Sequence, residues 1–324
     1  MKIRHIDTRQ TEVGQAHEAL GLPPVEQVIV QAQAHPLATV ATWFMLFVLV
    51  ALPLFLLGRG LPLNDPSAAL HMVIEVLTSS EFLHAAAVGF IAQSIDGALG
   101  MAYGISATTF LLGSGASPAV ASASVHIAEI FTTGLSGLSH LRLGNVDRKL
   151  MLKLLIPGVI GGVLGALVVT QFDGSQLKPW ISGYLLLMGL YVLAKAWRHR
   201  RKPAQEPKHV AKLALFGGFV DAAGGGGWGP VVTTSLVGAG SDPRRTIGSV
   251  NFAEFFIAVS SAGAFVLFID AAPWATVAGL VAGGMFAAPL AAFLCRALPA
   301  RALLVLVGLL ISSLSVYNLS KALG

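Results

Sequence analysis

Apolar residues along this chain run in long blocks rather than at the spacing of an amphipathic surface helix. The blocks fall at about 37–57, 118–140, 148–171, 177–197, 244–268, 273–295 and 300–321, with little charge inside them. Each is close to or above the length, about 20 residues, that crosses a hydrocarbon core roughly 30 Å thick. Two further apolar stretches, 82–113 and 210–238, are interrupted by glycine. The pattern predicts an all-α integral membrane protein in which spanning helices alternate with two broken segments. Polar punctuation then divides the chain. Residues 1–36 form a polar lead, with a candidate helix over Thr11–Ala19, and 37–81 an extra helix with its connection. Residues 82–197 and 210–324 form two halves, separated at 198–209 by a linker that opens Arg198-His199-Arg200-Arg201-Lys202-Pro203. The first block lies behind Lys2, Arg4, Asp7 and Glu12 and runs into Pro53 and Arg59 without a small-residue cleavage site, so it reads as a retained helix.

The halves are related. At an offset of 125, 15 of 36 ungapped positions from Asp96 to Phe131 are identical to those from Asp221 to Phe256. The identities include Asp96 with Asp221, Gly104 with Gly229, Thr108-Thr109 with Thr233-Thr234, Pro118 with Pro243, and Glu129 with Glu254. Apolar low complexity does not align an Asp, a Pro and a Glu together. Charge suggests how the halves are oriented. If both broken segments are re-entrant hairpins and the N-terminus is cytoplasmic, the loops carrying Arg142, Arg148 and Lys149, Arg198 to Lys202, Arg244 and Arg245, and Arg296 and Arg301 all face the cytoplasm. Each half then holds one hairpin and three spans, an odd number, so the two have opposite topology, as in inverted-repeat carriers.

Composition agrees with a membrane class. Charged residues make up 11 % of the chain, against about 25 % in soluble domains, and apolar residues 55 %. The net charge of +5 is carried in loops between apolar blocks, which argues for cytoplasmic membrane loops and against nucleic acid as a partner. Cys295 is the only cysteine, which excludes an intrachain disulfide and a multi-thiolate metal site. No phosphate-binding loop of the ATP-driven kind is present, and nothing in the sequence asks for a cofactor.

The candidate chemistry lies at the breaks, Asp96-Gly97-Ala98-Leu99-Gly100-Met101-Ala102-Tyr103-Gly104 and Asp221-Ala222-Ala223-Gly224-Gly225-Gly226-Gly227-Trp228-Gly229. Irregular backbone at membrane depth survives only where protein buries it or water reaches it. The helix that resumes after each break turns its positive end toward the hairpin tip, which suits an anion. No Lys or Arg is expected at that depth, so backbone N–H groups would have to meet the ligand. Close helix packing through small residues is the competing reading of the glycines. Asp96, Asp221, Glu129 and Glu254 also fall at membrane depth, where a charge costs about 2.5–3.5 kcal/mol on insertion scales. The two aspartates fit either a cation or proton site or capping of broken backbone. His126 and Asn251 precede the glutamates by three residues on the same helical face, as proton-responsive couples or as structural contacts. Ser117-Pro118 and Asp242-Pro243 read as helix caps followed by Pro at the first helical position.

The glycine-rich hairpin, the Thr-Thr pair, a Gly, a Pro-led helix carrying Ser124 or Ser249, and a second copy after a linker resemble the sulfite exporter TauE/SafE family over residues 84–321. The sequence departs from that pattern in Met101-Ala102-Tyr103, in Ile105 at the position matching Pro230, and in the extra helix at 37–57. The resemblance implies a multi-pass carrier of small sulfur-containing anions, such as sulfite, organosulfonates or thiosulfate, in a bacterial inner membrane. The candidate substrate site comprises Gly100, Met101, Tyr103, Gly104 and Thr108 in one half. In the other it comprises Gly225, Gly226, Gly227, Trp228, Gly229 and Thr233, with Ser124, Ser249 and Asn251 on the following helices. Asp96, Asp221, His126, Glu129 and Glu254 are the candidate proton or ion couplers. The expected partners are a small anion and the lipid bilayer, with a homo-oligomer allowed. Rival readings are a passive anion channel of the same architecture and an intramembrane hydrolase using Asp96 and Asp221 as an acid dyad. The Gly-x-Gly-Asp pattern of the latter is absent.

Overall fold

The computed structural model describes residues 2–5, 28–31, 36–62, 64–99, 101–197, 209–239, 241–268, 274–297 and 300–323. The candidate helix at 11–19, Gly100 and most of the basic linker lie outside them. The chain divides into two units, 1–47 and 48–324. In the first, β1 (Lys2–His5) and β2 (Val28–Gln31) pair antiparallel, with Ile3 opposite Val30 and Arg4 opposite Ile29. This short strand pair lies in the polar lead, outside the predicted apolar blocks. The run Val28-Ile29-Val30 is β-branched throughout, which suits a pleated strand better than a helix. Helix α1 (Pro36–Gly60) follows.

The second unit is helical among its described residues. It contains α2 (Pro66–Thr78), α3 (Ser80–Leu99), α4 (Tyr103–Gly113), α5 (Pro118–Arg142), α6 (Arg148–Gln171) and α7 (Gly174–Trp197). After the linker come α8 (Val210–Gly224), a π-helical turn (Gly229–Thr233), α9 (Thr234–Gly238), α10 (Pro243–Phe268), α11 (Trp274–Ala297) and α12 (Ala300–Leu323). Helix starts follow the cap residues. Asp65, Ser117, Asp147 and Asp242 accept backbone N–H groups of α2, α5, α6 and α10 at 2.8–3.3 Å. Asp173 receives Ser175 N–H at 2.7 Å at the start of α7. The exposed Asp65 and Asp173 carboxyls are held below the ordinary aspartate pKa, first by the Ser67 and Ser175 hydroxyls and then by these N–H groups.

Helices α6 and α7, Arg245–Phe268 of α10 and Leu304–Leu323 of α12 are long and apolar enough to cross a bilayer, and α2 with α3 adds a fifth span if the 57° bend between them lies within one crossing. Large apolar side chains stand bare on these helices: Ile156, Leu187 and Leu267 are 62 %, 64 % and 79 % exposed. Such a surface is untenable in water and ordinary against lipid. Exposed Trp180 and Trp197 bracket α7, about 26 Å apart at 1.5 Å per residue, as interfacial aromatics do. Helix α5 is instead buried along most of its length, with His126 and Glu129 inside the protein.

Spacing and packing repeat together. Pro118 and Pro243 open α5 and α10 at the 125-residue offset, and α6 and α11, then α7 and α12, follow in register within one residue. Helix α11 packs on α3, and α6 on α8; exchanging the halves turns one pair into the other. The pairs α7–α12 and α5–α10 exchange into themselves. Both swapped pairs meet through glycine. A Cβ at Gly161 or Gly165 of α6 would stand 2.1 or 2.3 Å from the Leu215 or Phe219 carbonyl of α8. One at Gly283 or Gly279 of α11 would stand 1.9 or 2.4 Å from the Ala86 or Phe82 carbonyl of α3. Backbones approach this closely only where one side presents no side chain at the contact.

Candidate functional site

The two broken segments meet. A Cβ at Gly226 would lie 2.3 Å from both Gly104 C and Ile105 N, so the backbones of the two breaks are in direct contact. Gly225 and Gly226 turn the chain at φ +70° and +146°, conformations that favour glycine. Thr108 Oγ1 donates to the Gly225 carbonyl and Tyr184 OH to the Gly226 carbonyl at 3.0 Å, so α4 and α7 both hold the second break.

Each break is closed by its own aspartate. Asp96 Oδ1 accepts Ala102 N–H at 2.7 Å and Tyr103 N–H at 3.2 Å, and Asp221 Oδ1 accepts Trp228 N–H at 2.9 Å. The end of one half-helix thereby caps the start of the next. This corrects the expectation that the resumed helices present free N–H groups to a ligand: these three already hold carboxylates. Asp221 keeps its second oxygen free, and Oδ2 lies 3.3 Å from His126 Nε2, with both side chains buried. Nε2 makes no hydrogen bond despite the short distance. His126 Nδ1 lies 2.8 Å from the Ser122 carbonyl, an acceptor only, so Nδ1 carries a hydrogen and Nε2 faces Asp221. Ser122 Oγ donates in turn to the Ala222 carbonyl at 2.6 Å, tying the imidazole to the second break.

Beside this pair lies a small polar cavity. Asp96, Glu129, Asp221 and Glu254 contribute to its wall, together with Met101, Tyr103, Gly104, Gly227 and Gly229. Its volume of about 20 Å³ holds a water or two. Glu129 Oε2 is buried without a hydrogen-bond partner. Four carboxylates and no Lys or Arg make a wall that attracts cations and repels an anion until protons neutralise it. Donor atoms of His126, Glu129 and Asp221 lie within 4.8 Å of one another, and they are the residues here that could hold a metal ion.

The other sequence candidates take different places. Ser124 Oγ bonds the Val120 carbonyl in its own helix. Ser249 bridges Arg245 and Asp147, and Asn251 Nδ2 donates to Ser136 Oγ at 2.8 Å. None of the three lines the cavity. Trp228 is fully buried, with Nε1 3.3 Å from the Val250 carbonyl and its ring against Gly158, so it packs the break from behind. Thr233 Oγ1 is buried and unpartnered, outside the cavity lining. Thr108, Gly225 and Gly226 join the halves rather than face the cavity.

Two participants escaped the sequence reading. Tyr184 lies in a long apolar span with nothing to mark which way its hydroxyl points. Lys195 Nζ reaches 3.1 Å from Met101 Sδ and 3.1 Å from Thr234 Oγ1, so a basic group does stand at the first break. It falls inside the apolar block 177–197, three residues before the basic linker, with nothing in the sequence to mark where its ammonium lies.

Known proteins supply the remaining frame. A profile of the sulfite exporter TauE/SafE family matches residues 85–318. The chain is 47 % identical over 231 residues to the probable membrane transporter protein YtnM of Bacillus subtilis (strain 168), covering 68 % of this chain and 77 % of that protein. No solved structure matches it. The match spans both breaks and the helices that carry the acidic cluster, and its relatives are membrane transporters rather than enzymes: this chain belongs to the sulfite exporter TauE/SafE family.

Proposed function

We propose that the protein is a secondary carrier of a small sulfur-containing oxyanion or organosulfonate, sulfite being the first to test, and that the anion crosses together with protons. The observation that carries this reading is the contact of two glycine breaks beside a cavity walled by Asp96, Glu129, Asp221 and Glu254. An anion enters such a wall only with its acids protonated, so anion and proton occupancy are coupled by electrostatics alone. His126 and the free Asp221 oxygen are the nearest place for the exchangeable proton.

The two halves, 82–197 and 210–324, act as inverted repeats in a bacterial inner membrane with the N-terminus and linker cytoplasmic. Rocking of one half against the other about the Gly104–Gly226 contact would open the cavity to alternate sides. The small cavity volume favours this over a standing pore. Asp96 and Asp221 are each committed to a separate break, which leaves the hydrolytic dyad without support. Purified protein in proteoliposomes should move sulfite saturably, and faster when an imposed proton gradient runs with it. Flux that neither saturates nor responds to the gradient identifies a channel, and absence of sulfite flux rejects the substrate class.

A further inference from the structure

Lys195, in the last turn of α7, turns its ammonium into the protein, where its hydrogen-bond partners are the Met101 thioether and the Thr234 hydroxyl. The three meet at one point, since Thr234 Oγ1 is itself 3.3 Å from Met101 Sδ. A thioether is a weak acceptor and a hydroxyl a neutral one, so the ammonium's charge is uncompensated. Among the described residues no carboxylate forms an ion pair with it. Met101 also lines the carboxylate cavity, so one residue touches both that cavity and the ammonium. An unbranched side chain with three rotatable bonds can swing aside without moving the backbone.

We propose that Lys195 and Thr234 form an anion subsite on the linker side of the cavity, with Met101 as its movable wall. The ligand is the oxyanion of the proposed transport cycle, and the subsite rests on that reading. The ammonium and the hydroxyl each donate to one oxygen of a sulfite or sulfonate group, replacing the thioether contact with a charge-assisted one. The anion waits there, outside the acidic wall, until protonation lets it past Met101. The residue matching Lys195 in the last turn of α12 is Lys321, which is exposed and lies 5.9 Å over the ring of Tyr317 instead of reaching a break. The subsite therefore exists on one side only, and affinity for the anion is sided.

Proteoliposomes of known protein orientation test this with sulfite as the probe. Lys195→Met should raise the apparent KM for sulfite presented from the linker side about tenfold or more, with KM from the opposite side within about twofold of the unsubstituted protein. Lys195→Arg should restore most of the loss, and Lys195→Gln, which keeps a polar head, should behave like Met; this guards against an effect of packing alone. Unchanged linker-side KM in Lys195→Met, in a preparation where the unsubstituted protein transports sulfite, overturns the subsite and leaves anion transport standing. Equal losses from both sides also overturn it. Absence of sulfite transport by the unsubstituted protein overturns the subsite and the transport reading together.

Discussion

Adding one methyl group at Gly226 should separate the two breaks. The Cβ of Gly226→Ala would stand 2.3 Å from Gly104 C and 2.3 Å from Ile105 N. Both are backbone atoms, so no side chain can rotate away to make room. Gly226 also sits at φ +146°, which an L-residue adopts only under strain. Backbone strain of this kind costs about 1–3 kcal/mol, and overpacking typically adds another 1–3 kcal/mol. The substitution should therefore destabilise the protein by about 2–6 kcal/mol or force the segments apart. Gly279 would be a misleading control, because its Cβ would meet the Phe82 carbonyl at 2.4 Å. Gly183 of α7 and Gly263 of α10 are suitable, with nothing within 4 Å of an added Cβ. Thermal unfolding in detergent, with and without sulfite, reads both effects. Gly226→Ala should lower the midpoint and lose the sulfite-induced shift, while Gly183→Ala and Gly263→Ala keep both. A Gly226→Ala protein with the parent midpoint and the parent sulfite shift would refute the contact between breaks as the place where stability and binding meet.

Three further outcomes follow from named groups. Asp221→Asn keeps an oxygen for Trp228 N–H but removes the charge facing His126, so it should fold yet lose the response of transport to an imposed proton gradient; a response equal to the parent's would make Asp221 a cap and nothing more. In a Cys295→Ser background, Gly115→Cys should label only from outside and Arg142→Cys only from the cytoplasm, and labelling of both from one side would end the inverted arrangement. Asp65 and Asp173 are held below the ordinary aspartate pKa in the folded protein, so their contribution is present above that ordinary value and is lost as pH falls through the folded values; Asp65→Asn with Asp173→Asn should flatten the acid limb of a stability–pH curve below about 4, and an unchanged limb would show that other carboxyls set it.

The helices were legible because membrane-length apolar blocks have few alternatives, and the breaks were legible because glycine runs cannot continue a helix cheaply. The cap residues were legible for the same local reason: Ser117-Pro118 and Asp242-Pro243 specify their geometry within four residues. What the sequence could not reveal were contacts made across the fold. Ser124, Ser249 and Asn251 read as site residues because they are polar and matched between halves. Their bonds to Val120, to Asp147 and to Ser136 depend on which way each helix is rotated, which periodicity leaves open in a buried apolar segment. Lys195 drew no reading at all, for a different reason. A long aliphatic stem lets its charge sit far from its Cα, so sequence position is a poor guide to where the ammonium lies.

The differences between the halves carry more of the mechanism than their likeness. Both copies keep the capping aspartate and the glutamate on the following helix, the parts that close a break and wall the cavity. The position matched to His126 is Asn251, which donates to Ser136 and faces no aspartate. The position matched to Met101 is Gly226, and Lys321, which matches Lys195 at the end of α12, is exposed over the ring of Tyr317. A perfectly symmetric pair of repeats would present the same potential to both sides and would give an exchanging ion no preferred place to bind. With one imidazole, at Asp221, and one ammonium, behind Met101, the proton and the anion each have a single address in the proposed cycle. Those addresses lie at different points along the proposed path. Restoring symmetry by His126→Asn should therefore leave the contact between breaks intact, because that contact is made by Gly104 and Gly226 backbone, while removing the group that distinguishes one acidic half from the other.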